Sequence, residues 1–261
     1  MNLILSQPPG VGNSISITYF LSDDRPDGTR QAMTFDALCN WIEQHAPAAE
    51  TKHGLPLLKL ATFAGDYRND ANLETVYGIE ADYDAELLQP SAAGARLQAA
   101  GVDAFIHTSP SHRPDAPRWR VLAPLSAPVA PADRHGLVSK LNAALGGVLA
   151  SESWRVSQAF FVGSVKGGHP VECWRVNGRP IDTLDIAPVG PAQRDRKDGR
   201  RYKPGEGRRA PSYAVALDAL RSRDPGDFER GGWLTFGGSF FAASNGLASD
   251  EQRLLDWLAW N

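Results

Sequence analysis

The chain has 261 residues, 42% of them hydrophobic, and carries 27 Lys and Arg against 30 Asp and Glu, for a net charge of −3. That balance excludes a uniformly basic nucleic-acid coat, so any basic surface must be local. Cys39 and Cys173 have neither metal-site spacing nor the density of a secreted disulfide scaffold. The sequence holds no signal-peptide pattern and no apolar run of membrane-spanning length, so a soluble cytoplasmic protein is expected.

Residues 15–21 alternate and predict a first strand, followed by a turn over residues 22–28. Thr34 is a candidate cap for a helix to about His45, with Phe35, Leu38, Trp41 and Ile42 on one face. Residues 57–63, just after Pro56, read as a second apolar strand, and residues 65–72 as a polar loop. Residues 76–84 alternate again, with Ile79, Ala81 and Tyr83 between acids. Residues 90–100 predict an Ala-rich helix stopped by Gly101. Strands follow at 102–109 and 118–124, around a Pro-rich turn at 111–117. A helix is expected from Pro131 to about residue 145, before Gly146-Gly147. Residues 158–162 and 171–176 read as two more strands, joined through Gly167-Gly168. Short strands among helices and hairpins predict an α+β domain on one mixed or antiparallel sheet, over residues 1–188.

Composition then shifts. Residues 191–209 hold eight Arg or Lys and three acids, with nothing apolar enough to pack, so a basic linker is expected over 189–210. Arg200, Arg201 and Lys203 are its candidate DNA-binding residues. Helices are expected at 213–222, 228–243 and 250–260, as an accessory domain over 211–261 that ends as a fragment of a longer protein would.

Two segments carry chemistry. Glu80, Asp82 and Asp84 lie two apart on a strand, so their side chains share a face. Clustered carboxylates repel unless something positive sits among them, and a divalent ion such as Mg²⁺ or Mn²⁺ would serve. Two such ions can clamp the attacking and leaving oxygens of a phosphoryl transfer. In the second segment, His107 precedes a small-residue turn with Ser111 and His112, and the next strand holds Arg118 and Arg120 on one face. Trp119 and Val121 take the opposite, core face. Paired arginines beside a histidine make a phosphate-binding surface. Asp115 is a candidate partner for these arginines.

Together these residues resemble the archaeo-eukaryotic primase superfamily, in its phage and plasmid primase–polymerase branch. Its acid-x-acid strand is matched by Gly78-Ile79-Glu80-Ala81-Asp82-Tyr83-Asp84, and its small-residue turn ending in His by Thr108-Ser109-Pro110-Ser111-His112. The segment from Ser153 to Phe161 resembles the surroundings of its third motif, and the resemblance spans roughly residues 55–185. It implies a sheet domain related to the RNA-recognition motif, with an extra αβ unit at its N-terminus. It implies a DNA-templated nucleotidyl transferase, a primase or polymerase, that uses nucleoside triphosphates and a single-stranded DNA template. Glu80 and Asp82 would bind the catalytic Mg²⁺ or Mn²⁺ ions, a two-metal site. His112 would contact the triphosphate, with Ser111, Arg118 and Arg120 nearby. A helicase, fused or separate, is an expected partner. The chain departs from the pattern in having Glu80 where Asp is commoner, and in its third acid: Glu152 is nearest, Ala150 stands in the expected slot, and Asp182 is a substitute. That departure keeps open a DNA-binding replication initiator without catalysis, and clustered carboxylates with a His would also serve a metal-dependent nuclease. A Walker-type ATPase is excluded, since G-x-x-x-x-G-K-[ST] does not occur.

Overall fold

The computed structural model describes residues 14–22, 27–191, 210–225, 236–237, 239–241 and 243–260. The chain divides into two units, Met1–Gln193 and Arg194–Asn261. The first unit opens with β1 (Ser14–Phe20) and β2 (Gly28–Thr34), paired antiparallel from Ser14 opposite Thr34 to Phe20 opposite Gly28. Sequence periodicity did not reveal β2, because its only buried residue is Met33 and its strand character comes from pairing with β1. Thr34 then caps α1 (Phe35–His45), its hydroxyl accepting from the Ala37 amide at 3.1 Å. Helix α1 lays Leu38, Cys39 and Ile42 against Ile15, Ile17 and Met33.

After the short β3 (Ala48–Ala49), the apolar run 57–63 breaks at Leu60 instead of forming one strand. Its halves, β4 (Leu57–Lys59) and β5 (Ala61–Phe63), join different sheets: β4 pairs with β1, and β5 with β6 (Leu73–Tyr83). At the crossover the Leu60 carbonyl accepts from the Tyr77 and Gly78 amides at 2.8 and 3.2 Å. Gly78 allows this approach, since a Cβ there would lie 2.6 Å from Leu60 Cδ2 and 2.9 Å from the Ala123 carbonyl oxygen.

The remaining elements of this unit are α2 (Pro90–Ala99), β7 (Ala104–Thr108), β8 (Trp119–Val129), α3 (Arg134–Ala144), β9 (Phe160–Phe161), β10 (Ser164–Val165) and β11 (Cys173–Val176). The result is an α+β architecture with two antiparallel sheets, in strand orders β2-β1-β4-β9 and β11-β7-β8-β6-β5, plus a short parallel pair of β10 with β3. Where one sheet was expected there are two, and β9 and β11 belong to different ones.

The five-stranded sheet has two distinct faces. Ile79, Ala81, Tyr83, Ile106, Trp119 and Val121 join one core with Ala93 and Leu97 of α2 and Leu137, Val138 and Leu141 of α3. Phe105 and Leu122 join the other core, with α1, Leu58 and Leu60. Alternation along the strands therefore turns Glu80, Asp82, His107 and Arg120 towards the N-terminal sheet, on the face opposite the core shared with α2 and α3, and Arg134 at the start of α3 reaches that face from its end.

In the second unit, α4 (Tyr213–Arg221) and α5 (Asp250–Trp260) pack through Ala216, Leu220, Phe240 and Trp257. Ser212 caps α4 by accepting from the Val215 amide, and the Tyr213 hydroxyl donates to Asp256 at 2.6 Å. No described helix is long and apolar enough to cross a membrane. Arg200, Arg201 and Lys203 lie outside the described residues.

Candidate functional site

Four strands put one polar row across the sheet. Asp82 of β6 stands opposite Arg120 of β8, Arg120 opposite His107 of β7, and His107 opposite Cys173 of β11. The next row inward is mostly apolar in the middle: Glu80 opposite Leu122, Leu122 opposite Phe105, and Phe105 opposite Arg175.

Glu80 is 1% exposed. Its Oε1 accepts from Lys59 Nζ at 2.6 Å and from Arg134 Nη2 at 2.7 Å, and its Oε2 accepts from the Leu60 amide at 2.9 Å. Burial alone would raise the carboxyl, but the two cations and the amide outweigh it and hold Glu80 below its usual range. Desolvation pushes the fully buried Lys59 ammonium down to about 8, with Glu80 opposing. Sequence reasoning expected a metal ion to relieve the charge of Glu80. Two protein cations do so instead, and the side chain presents no exposed oxygen to a ligand.

Arg134 does more than neutralise. Its Nη1 donates to the Ser153 carbonyl at 2.7 Å and the Arg155 carbonyl at 3.3 Å, and its Nη2 also reaches the Glu80 carbonyl at 3.2 Å. The 3₁₀ turn Ser151–Trp154 is thereby fastened to the edge of β6. Two further bonds fix the register: Ala150 N–H donates to the Asp82 carbonyl at 2.9 Å, and the Ser153 hydroxyl accepts from the Asp82 amide at 3.0 Å. This places Glu152 beside Asp82, while the apolar Ala150 supplies only backbone.

The Asp82 carboxylate accepts from Arg120 Nε at 2.9 Å, with its side chain 21% exposed. Burial pushes its carboxyl up, the Arg120 pair pulls it down, and the charges of Asp84 and Glu152 add to the rise. Arg120 also donates to the Phe161 carbonyl and lies over the Phe160 ring at 5.5 Å, tying β8 to β9 across the two sheets. Asp182, the substitute third acid, sits elsewhere: it accepts from the amide and hydroxyl of Ser126, beyond the inner half of β8.

His112 sits in the turn between β7 and β8. The Ser109 amide donates to the Arg118 carbonyl, the His112 amide to the Ser109 carbonyl, and the Arg118 amide to His112 Nδ1 at 3.2 Å. Burial lowers the His112 pKa, His169 lowers it further, and Glu172 opposes. A neutral ring whose Nδ1 accepts carries its proton on Nε2. Ser111 is exposed beside it. His107 is 1% exposed, with Nδ1 at 3.2 Å from the Thr108 carbonyl, and burial with Arg120 nearby pushes it down to about 3.

Arg118 takes a different path from Arg120. Its Nε and Nη2 donate to Glu86 Oε1 at 2.8 and 2.5 Å. Glu86 belongs to a loop pinned by an aromatic pair: Tyr83 and Trp119 stack at 4.6 Å, Tyr83 Oη accepts from the Leu87 and Leu88 amides, and Trp119 Nε1 donates to the Leu88 carbonyl. Asp115, considered as a partner for the site arginines, pairs with Arg113 on the surface.

Asp82, Arg120, Glu152 and the His112 turn are thus positioned by one sheet end, and Glu80 is not part of that exposed set. Lys59, Arg134 and the row position of His107 escaped sequence reasoning. A lone Lys inside the apolar run 57–63 was the available signal for Lys59, whereas nothing local marks Arg134. Among the described residues, no group of three or more His, Cys, Asp and Glu side chains stands together as a metal cage. A divalent ion therefore fits at Glu80 poorly, and around Asp82 the charges of Asp84 and Glu152 are felt without the three side chains forming a cage.

No known protein family matches the chain, and no curated protein sequence does. A search of solved structures returns the AEP domain of the Cyanophage S-2L primase-polymerase (PrimPol), with TM-score 0.37 and 12% identity, covering 65% of this chain and 84% of that one.

Proposed function

We propose that this chain is a template-directed nucleotidyl transferase of the primase–polymerase class, acting in replication of a phage, plasmid or mobile element. The observation that carries the reading is the convergence of Asp82, Arg120 and the His112 turn at one end of a single antiparallel sheet. The motif resemblance assigns nucleotide chemistry to the same residues. His112 Nε2–H, Arg120 and Arg118 would donate to the outer phosphates of a nucleoside triphosphate. A divalent cation, Mg²⁺ or Mn²⁺, held at Asp82 with Glu152 and Asp84 alongside, would supply neutralisation of the charge that develops on the transferred phosphoryl group. The protein's own contribution is positioning: Arg120 is fixed between Asp82 and the Phe161 carbonyl, and Arg134 holds the Glu152 turn on β6. Single-stranded DNA would be the template, held in a cytoplasmic setting with a helicase as partner.

A second reading is favoured by one observation. Glu80 is neutralised internally, which leaves fewer exposed carboxylates than a two-metal centre needs. A DNA-binding replication initiator on the same scaffold, without catalysis, accommodates that.

Synthesis from labelled nucleotides on single-stranded DNA, with Mg²⁺ or Mn²⁺ and with or without a primer, decides between them. Product without primer is expected of a primase, and product only with primer of a polymerase. A folded, DNA-binding sample that makes neither would leave the initiator reading.

A further inference from the structure

His112 is held by hydrogen bonding at one ring nitrogen. Its Nδ1 accepts from the Arg118 amide at 3.2 Å, and among the described residues no hydrogen bond reaches Nε2. One long bond does not fix an imidazole, because half a turn about the Cβ–Cγ bond exchanges nitrogen for carbon at little steric cost. A second contact is needed to choose the orientation, and His169 supplies it. Its ring meets that of His112 edge to face, with centroids 6.2 Å apart and planes at 80°. We propose that His169 is the positioning residue of the His112 site, holding the imidazole in the one orientation and proton arrangement that leaves Nε2–H for a phosphate oxygen of a nucleotide. This deepens, and rests on, the nucleotide reading of that site.

The chain on both sides of His169 is fastened. Before it, Lys166 N–H donates to the Ala49 carbonyl at 2.9 Å, and Gly168 N–H closes a turn on the Val165 carbonyl at 2.9 Å. Gly167 supplies the φ of 77° that this turn uses. After it, Glu172 N–H donates to Thr108 Oγ1 at 2.9 Å and Thr108 N–H donates to the Glu172 carbonyl at 3.0 Å. That pair ties the approach to β11 onto the end of β7, where the turn to His112 begins. The His169 side chain is exposed, and among the described residues its ring makes no hydrogen bond or ion pair. Asp115, the acid that feels its charge, is paired with Arg113 at 3.1 Å. The contact with His112 is therefore what this side chain contributes.

The charges around His112 agree with the geometry. Burial and His169 both disfavour its imidazolium, Glu172 opposes them, and the balance lies below the ordinary histidine range. Only the neutral ring has an Nδ1 that can accept from Arg118. His169 thus favours the same state of His112 through packing and through charge.

Nitrogen-15 histidine spectra and nucleotide binding test this on the full chain, with the His112 signals assigned by their loss in His112→Gln. The parent should show one His112 tautomer, with Nδ1 bare and Nε2 protonated. His169→Ala should move both ring nitrogens towards averaged values. It should also weaken binding of a fluorescent ATP analogue, with Mg²⁺, roughly two- to tenfold, the worth of one edge-to-face aromatic contact. His169→Phe keeps a ring there without its nitrogens and should restore both readouts. His169 is on the surface, so the thermal melt should not change. His112 spectra unaltered by His169→Ala overturn the inference, whether or not the protein binds or polymerises nucleotides. An altered spectrum with undiminished affinity also overturns it where His112→Gln itself weakens binding, as does failure of His169→Phe to restore either readout. If the spectrum moves but neither His112→Gln nor His169→Ala changes affinity, or the parent binds no analogue, the positioning stands and the nucleotide reading of His112 fails.

Discussion

Glu80 and Asp82 leave the same strand on the same side, two residues apart, and meet opposite surroundings. Glu80 is sealed under the β4–β5 crossover, where Lys59, Arg134 and the Leu60 amide surround its carboxylate. Asp82 lies one pleat further along, past the crossover, with Arg120 on one side and the like charges of Asp84 and Glu152 on the other. The difference is one of cover. Leu60 can lie on β6 at Gly78 and close over position 80, whereas position 82 meets Arg120 and a turn whose own acid adds to the charge. The inner carboxylate is therefore bonded wholly within the protein, while the outer one pairs with Arg120 and keeps part of its surface exposed.

The comparison breaks first at Glu80. Removing one member of a buried ion cluster strands the others, so Glu80→Ala should lower unfolding free energy by about 3–5 kcal/mol. Urea denaturation measures it, and a variant that melts like the parent would return Glu80 to the chemistry. Asp82→Ala should do the converse. Synthesis should fall on the order of 10²–10³-fold, the cost of a lost electrostatic contact at a reacting centre. Its denaturation midpoint should move little, because Arg120 keeps the Phe161 carbonyl. Full-rate synthesis by that variant would remove Asp82 from the site.

Arg120 sharpens the contrast, since it touches Asp82 and not Glu80. Arg120→Ala should raise the nucleotide KM roughly tenfold, the worth of a hydrogen bond to a charged group. Steady-state kinetics would show it, and an unchanged KM with lowered stability would make Arg120 purely a tie between β8 and β9.

His107 gives a pH signature to the same row. Its pKa in the folded protein is about 3, against 6.5 ordinarily, because burial and Arg120 disfavour the imidazolium. The unfolded chain thus binds a proton between those values that the folded chain refuses. Its contribution to stability is complete above about pH 6.5 and is lost as pH falls towards 3. His107→Gln should flatten the acid limb of the stability curve, followed by urea melts across that range, and an equally steep limb would point to another group.

Much of this was legible from local pattern. The Thr34 cap, the helix to His45, the α+β class and the strand carrying Glu80 and Asp82 all follow from period and punctuation. The break at Leu60 was not, because an unbroken apolar run says nothing about changing sheets. Nor was the fate of Glu80. Lys59 is 21 residues from it and Arg134 is 54, and only the crossover and α3 bring them together. The acid-x-acid pattern marks two carboxylates on one face, but which of them is covered is decided by elements elsewhere in the chain.

The smallest effect is expected at Arg118, the arginine that shares a strand face with Arg120 yet turns to Glu86. Both partners are more than a third exposed, with side chains 38% and 42% accessible, so solvent screens the pair. Glu86→Ala should change stability by less than about 1 kcal/mol despite the short contact. Its effect on nucleotide affinity separates two roles. If Arg118 serves the triphosphate, freeing it from Glu86 removes a competing carboxylate, and nucleotide binding should tighten by a few-fold at low salt and hardly at all at high salt. If Arg118 only fastens the loop after β6 that Tyr83 and Trp119 already pin, binding should stay the same at every salt concentration. The first result extends the outer half of the strand into the 84–89 loop, and the second confines it to Asp82, Arg120 and the histidine turn.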